Sequence, residues 1–265
     1  VLINYSESVY GYNPDASTTT FLGNYAPGGN DIANTATKMW LYNSTQIYEY
    51  NITLSPWTAT FNRIITMPTG VKLGQGLFAI DNTLLIGSNT YPGGSTAQKL
   101  IEINITSSTA VVSNILELLP VGTSVAGDIL VTVAGDLIVT TTTGTVDQLR
   151  QYNAISGDLE VIVNLGSFTQ PSGLFENASS LYVYSGGGII RNVDLNYPYT
   201  VTTVDITGQP ILGASQQQSC IDVSLQTTTT TTSTSSTTTT STSTTTTTTT
   251  IYLPTVTVCG KQWTT

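Results

Sequence analysis

The sequence predicts an all-β protein built from five small antiparallel sheets, on three observations. First, a short pattern recurs five times, as Val9-Tyr10-Gly11-Tyr12-Asn13, Ile47-Tyr48-Glu49-Tyr50-Asn51, Leu100-Ile101-Glu102-Ile103-Asn104, Leu149-Arg150-Gln151-Tyr152-Asn153 and Ile190-Arg191-Asn192-Val193-Asp194. Each copy reads as a half-buried strand ending at a turn residue. Second, the copies stand 38, 53, 49 and 41 residues apart, the length that four short strands and their turns require in a propeller blade. Third, no window holds apolar residues at helical spacing for three turns. The competing architecture is a two-sheet sandwich with coincidental repeats.

The strands follow in order. Each recurring stretch is succeeded by a second β-rich segment (Thr18 to Tyr25, Ala59 to Ile65, Ala110 to Leu116, Leu159 to Leu165, Tyr199 to Ile206) and preceded by another (Leu2 to Asn4, Met39 to Tyr42, Leu84 to Gly87, Leu137 to Thr140, Leu181 to Tyr184). A fourth precedes that one in four copies: Ile32 to Thr37, Gly76 to Ile80, Asp128 to Val133 and Gly173 to Glu176. Laying Met39-Trp40-Leu41 on Val1-Leu2-Ile3 shows that the first copy lacks its innermost strand. Gln209 to Ser219 holds a matching segment at the far end. The expected fold is therefore a five-bladed β-propeller, residues 1–226, closed by its N- and C-terminal strands, which removes two exposed edges together.

Residues 227–250 are Thr and Ser alone. Such a run has nothing with which to bury a core and favours extended backbone; fully extended it reaches roughly 80 Å at about 3.3 Å per residue. Dense Ser/Thr tracts are acceptors of O-linked sugar in stalks outside the cell, with Thr227, Thr232, Thr237, Thr240, Thr244 and Thr250 as candidates here. N-x-[ST] sequons at Asn43, Asn51, Asn104 and Asn177 are candidate N-glycosylation sites. Cys220 and Cys259 flank the tract; a bridge would close a 40-residue loop, and nothing in the sequence shows that they meet.

Seven Lys and Arg against 16 Asp and Glu give a net charge of -9. The basic residues are scattered, which argues against nucleic acid and an anionic membrane surface, and no apolar run approaches the ~20 residues of a membrane span. The chain contains no His, which excludes Ser-His-Asp and Cys-His nucleophile arrangements and His-containing zinc sites. No cofactor or metal is expected. Gly70 to Gly76, GVKLGQG, lacks the Lys-Ser/Thr of a phosphate cradle and reads as a hairpin or blade connection. Asp128, Asp136, Asp147, Asp158 and Glu160 crowd one copy, and because several stand beside Gly they read as turn formers rather than an acid/base pair. Tyr48, Tyr50, Tyr152 and Tyr182 fall in repeat strands and read as inter-blade packing, while Tyr91, Tyr197 and Trp57 are the aromatics placed for contact with a ligand.

Residues 251–265 resume an alternating β pattern. Val256 to Thr265, VTVCGKQWTT, resembles the opening of the FISUMP-type domain, a C-type-lectin-like module whose first strand runs into a Gly-x-x-Trp turn, matched by Gly260 and Trp263. Propeller, Thr-rich tract and lectin-like module in series resemble modular phage and bacterial surface and virion appendage proteins. That resemblance implies adhesion or structure and lends no site residues. The resulting expectation is a non-enzymatic, extracellular subunit of a filament or virion appendage that self-associates through its Thr-rich tail and contacts a surface glycan; the alternatives are a stand-alone carbohydrate-binding propeller and a secreted glycosidase or lyase.

Overall fold

The structure is a computed structural model that describes residues 1–25, 29–90, 98–116, 122–132, 135–153, 158–166, 171–177, 180–185, 187–194, 200–206 and 212–215, the single positions 119 and 156, and a hairpin at 255–258 and 261–264. Every described element is a strand, numbered here in chain order. Blade 2 comprises β4 (Ile32–Asn34), β5 (Lys38–Tyr42), β6 (Gln46–Leu54) and β7 (Trp57–Thr66); blade 3 comprises β8 (Lys72–Ala79), β9 (Leu84–Thr90), β10 (Gln98–Asn104) and β11 (Val111–Leu116). Blade 4 runs through β12 (Ser124–Val131), β13 (Leu137–Thr142), β14 (Asp147–Asn153) and β15 (Asp158–Gly166), and blade 5 through β16 (Pro171–Asn177), β17 (Ser180–Ser185), β18 (Ile189–Asp194) and β19 (Thr200–Ile206). In blade 1, β1 (Leu2–Tyr5), β2 (Ser8–Asn13) and β3 (Thr18–Asn24) are joined by β20 (Gly213–Ser215), which pairs antiparallel with β1 through Leu2 and Ser215, Ile3 and Ala214, and Asn4 and Gly213. The arrangement is a five-bladed β-propeller.

Burial falls from the axis to the rim, and this explains which strands are legible in sequence. The inner strand β12 and its neighbour β13 are buried at almost every position, as is β5. Strands packed on both faces read as continuous apolar runs. The third strands alternate, and the outermost, β7 and β15, are largely exposed. The five recurring stretches are all third strands, where burial alternates along the strand instead of holding at every position.

The core is a set of inter-blade layers. Trp40, Met39, Leu41 and Tyr42 of β5 are fully buried; Trp40 and Tyr42 pack with blade 3 residues such as Leu77 and Ile101, and Met39 and Leu41 with blade 1 residues Leu2 and Val9. Blade 1 also meets blade 5: the Tyr12 ring lies 5.9 Å from Phe175 and 5.5 Å from Tyr184, both edge-on, the geometry that aromatic quadrupoles favour.

One local expectation is corrected. Lys72 to Gly76 is the first half of the inner strand β8 rather than a connection. Its register shifts between Leu73 and Leu77, as that of β12 does between Val125 and Ile129 and that of β16 between Pro171 and Gly173. Such bulges free backbone groups from the ladder at one level of the ring. Near the C-terminus, β21 (Thr255–Val258) and β22 (Lys261–Thr264) form an antiparallel hairpin. Residues 227–250 with their Thr candidates, Cys220, Cys259, Tyr91 and Tyr197 lie outside the described residues.

Candidate functional site

Matching the ladders blade by blade aligns Asp31-Ile32, Gly76-Leu77, Asp128-Ile129, Gly173-Leu174 and Gly213-Ala214 at the level of the bulges. The second residues of these pairs aim their amides at the axis, and two carboxyls receive all five. Asp31 Oδ1 accepts from Ile32 N at 2.7 Å and Oδ2 from Leu77 N at 2.7 Å. Asp128 Oδ1 accepts from Ile129 N at 2.6 Å, Oδ2 from Leu174 N at 2.6 Å, and the carboxyl also receives the amide of Ala214. One amide from each blade is thus satisfied by a carboxyl from blade 2 or blade 4.

Asp31 and Asp128 are 0% and 1% exposed and in hydrogen-bonding contact with each other. Burial, then the Asp128 charge, pushes the Asp31 carboxyl well above the usual carboxylate range; burial likewise raises Asp128, against the hydrogen bonds from Leu174 and Ile129. Behind them stands a polar layer from the second strands. Tyr42 Oη donates to Gly74 O at 2.8 Å, Ser88 Oγ donates to Gln75 O, and Thr140 Oγ1 accepts from Asp128 N at 2.7 Å. Asn4 Nδ2 donates to Gly29 O at 3.1 Å, while its buried Oδ1 has no partner.

This corrects the reading of Asp128 as a turn former: it is a buried bridge between blades. The other acids of its copy do not converge with it. Asp136 sits in the β12–β13 turn, where its amide donates to Thr132 Oγ1 at 3.0 Å; Asp158 and Glu160 are exposed on the outer strand β15, Asn153 Nδ2 donating to Glu160 at 3.0 Å; and Asp147 is buried at the start of β14. Asp31 was not singled out from sequence, although a signal exists: Asp-Ile opens the inner strands of copies 2 and 4 where the other three have Gly followed by an aliphatic residue.

A second feature opens where inner strands end. A basin of about 360 Å³ lies between blades 1, 2 and 5, walled by Leu2, Pro14 and Leu54 and by the polar side chains of Asp15, Asn34, Glu176, Asn177 and Ser215. Asn34 is 4% exposed; its Nδ2 donates to Thr35 O at 3.0 Å, and its Oδ1 has no partner. Asn177 Nδ2 donates to Asp15 Oδ1 at 3.1 Å across the blade 1 to blade 5 boundary. The lining side chains carry carboxylates and amides without Lys, Arg or His, and the Val1 amino group, which donates to Tyr12 O at 3.2 Å, belongs to a further lining residue. The side-chain chemistry suits a ligand rich in hydroxyl donors.

The sequons fall in different settings. Asn43 and Asn104 each close an Asx turn, their Oδ1 accepting from Thr45 N and Thr106 N, both at 3.0 Å. Asn51 is exposed on β6, and Asn177 lines the basin. Tyr50 and Tyr152 are buried between blades as expected. Trp57 is partly buried, its Nε1 donating to Tyr25 Oη at 3.0 Å.

The fold is that of a five-bladed propeller, and the comparisons with known proteins add the following. No family model and no curated protein matches the chain. Among solved structures it is similar to a Bacteroides fragilis protein described as a candidate 6-phosphogluconolactonase, with 11% sequence identity, a TM-score of 0.47, and coverage of 80% of this chain and 96% of that one. The expectation of a non-enzymatic filament or appendage subunit is corrected on this finding: the matched protein is described as a candidate enzyme, and among the described residues nothing supports a filament contact. Likeness at this level tells nothing of what this chain acts on.

Proposed function

We propose that this propeller holds a neutral, hydroxyl-rich small molecule, a sugar or polyol, in the basin between blades 1, 2 and 5. The observation that carries the reading is a cavity of about 360 Å³ ringed by hydrogen-bonding side chains, among them that of buried Asn34, whose Oδ1 has no partner. A buried acceptor without a donor costs about 1–3 kcal/mol, which favours a small movement of the Asn34 side chain toward a ligand hydroxyl in the basin. Asp15, Glu176 and Ser215 add hydrogen-bonding groups around it, and Leu2 and Leu54 supply apolar surface for the C–H faces of a ring. A hydrolytic reading has one observation in its favour, the two carboxylates Asp15 and Glu176 in the same basin, and it is tested alongside.

The test is calorimetric titration with a panel of neutral mono- and disaccharides and polyols, with product release followed in parallel. A binding member is expected, and Asn34→Ala should weaken it roughly tenfold, the equivalent of one hydrogen bond at about 1.4 kcal/mol, with the unfolding temperature measured as a control. Equal affinity of Asn34→Ala and wild type sinks the site. Release of product, lost in Glu176→Gln or Asp15→Asn, selects hydrolysis over binding alone.

Two further elements belong to the same reading. β20 acts as the latch that closes the ring: its ladder to β1, the Ala214 amide on Asp128 and the approach of Gly213 to Asp31 support this. An extracellular setting is supported by the Thr/Ser tract and the sequons, and a lectin-like continuation by the resemblance of residues 256–265.

A further inference from the structure

We propose that the propeller axis is an anion-binding cradle of five backbone amides, occupied by two of the chain's own carboxyl groups that hold one proton between them. Five inward N–H dipoles, one from each blade, converge on Asp31 and Asp128. Converging amides favour negative charge, but two full charges in contact away from water are beyond what neutral dipoles stabilise. No Lys or Arg is among the buried described residues. The groups facing the pair from the surrounding strands are Tyr42 on β5, the other titratable side chain that senses both charges, and at the matching positions of the remaining second strands Asn4 on β1, Ser88 on β9, Thr140 on β13 and Tyr184 on β17. None of these supplies a positive charge.

A proton solves the geometry. The pair is in hydrogen-bonding contact, and one of two facing carboxyls must donate. Asn4 offers a second acceptor beside it: the point where a Cβ on Gly213 would stand is 1.8 Å from Asp31 Oδ1 and 2.8 Å from Asn4 Oδ1, and that amide oxygen has no partner. The raised carboxyls point the same way. The sign of the linkage follows. Below the ordinary carboxylate range both folded and unfolded chains are protonated and the pair is without penalty; as pH rises the unfolded chain ionises first, so the folded chain loses up to tenfold in its folding equilibrium per pH unit for the retained proton, until the folded pair itself ionises. Glu49, held at about 2, does not titrate in that window.

Two experiments test this. Carboxyl ¹³C NMR of the wild-type protein labelled at Asp should show one of the two resonances in its neutral form at pH 7; both ionised at pH 6 overturns the shared proton. Asp128→Ala, refolded and melted at increasing sodium formate, should gain a saturable rise in unfolding temperature that wild type does not show, because formate replaces the missing carboxylate on the amides of Ile129, Leu174 and Ala214. Failure of Asp128→Ala to refold or to gain stability in formate beyond the wild-type response overturns the cradle. Neither readout involves the basin ligand.

Discussion

Gly127→Ala is expected to lower the unfolding free energy by about 3 kcal/mol, the upper end of ordinary overpacking penalties, and to lower the unfolding temperature by about 6–12 °C for a domain of this size. A Cβ at this position would stand 1.6 Å from Pro171 O, 2.5 Å from Pro171 C and 2.6 Å from Ser172 Cα. All three are backbone atoms of β16, so no side-chain rotation relieves the clash. Either the inner strands of blades 4 and 5 separate, or the Asp128 to Leu174 hydrogen bond, 2.6 Å and one residue away, is broken. Gly187→Ala is the control: its added carbon would meet only Ser185 Oγ, at 3.7 Å, and should leave stability within about 0.5 kcal/mol. Urea unfolding of both variants decides the matter, and a Gly127→Ala midpoint equal to wild type would show that the inner strands are not in backbone contact there.

The crowding at Gly127 also explains what could and could not be read from the sequence. Five inner strands converge on a narrow axis, and small residues stand where neighbours meet: Gly173 against Ala214, and Gly213 against Asp31. In sequence Gly173 and Gly213 fall within segments read as strands with nothing to mark them as contact points, and Asp128, standing next to Gly127, reads as a turn former. Their meaning is set by residues 46 positions away, Leu77 for Asp31 and Leu174 for Asp128, a distance that local pattern reading does not reach. The third strands were legible because their alternation is produced within five residues, as in β6 and β14. Asn34 was illegible for another reason. It is an Asn in a chain rich in Asn, and only the closure of a basin by Leu2, Leu54 and Ser215, from three separate strands or turns, leaves its oxygen buried and without a donor. Asp15 and Glu176 share that basin from opposite ends of the chain and could not be paired on spacing.

Glu49→Ala should cost about 3–5 kcal/mol, the range for removing one partner of a buried ion pair. The residue lies in the middle of a recurring stretch, where its position reads as a variable polar one, yet the side chain is 1% exposed. It accepts from four side chains of its own blade: Lys38 Nζ at 2.8 Å, Trp40 Nε1 at 3.1 Å, Arg63 Nε and Nη2 at 3.3 Å each, and Asn62 Nδ2. Burial pushes its carboxyl up, but the hydrogen bonds from Lys38, Arg63, Asn62 and Trp40 outweigh that and hold it at about 2. Arg63 carries the effect beyond blade 2, because its Nη2 donates to Ile105 O at 2.6 Å at the end of β10 in blade 3. Glu49→Ala therefore strands an indole N–H and releases an inter-blade strut together, whereas Glu49→Gln retains an acceptor and should cost about 1.5–3 kcal/mol, the worth of a hydrogen bond to a charged group. The pH dependence has the opposite sign to that of the axial pair. A carboxyl lowered by folding contributes above the ordinary carboxylate range, and that contribution is lost as pH falls through it toward 2. The gap between wild type and Glu49→Gln in urea unfolding should be full at pH 6 and should narrow progressively below pH 4. A gap of the same size at pH 2 would mean that Glu49 stabilises the blade through shape rather than charge.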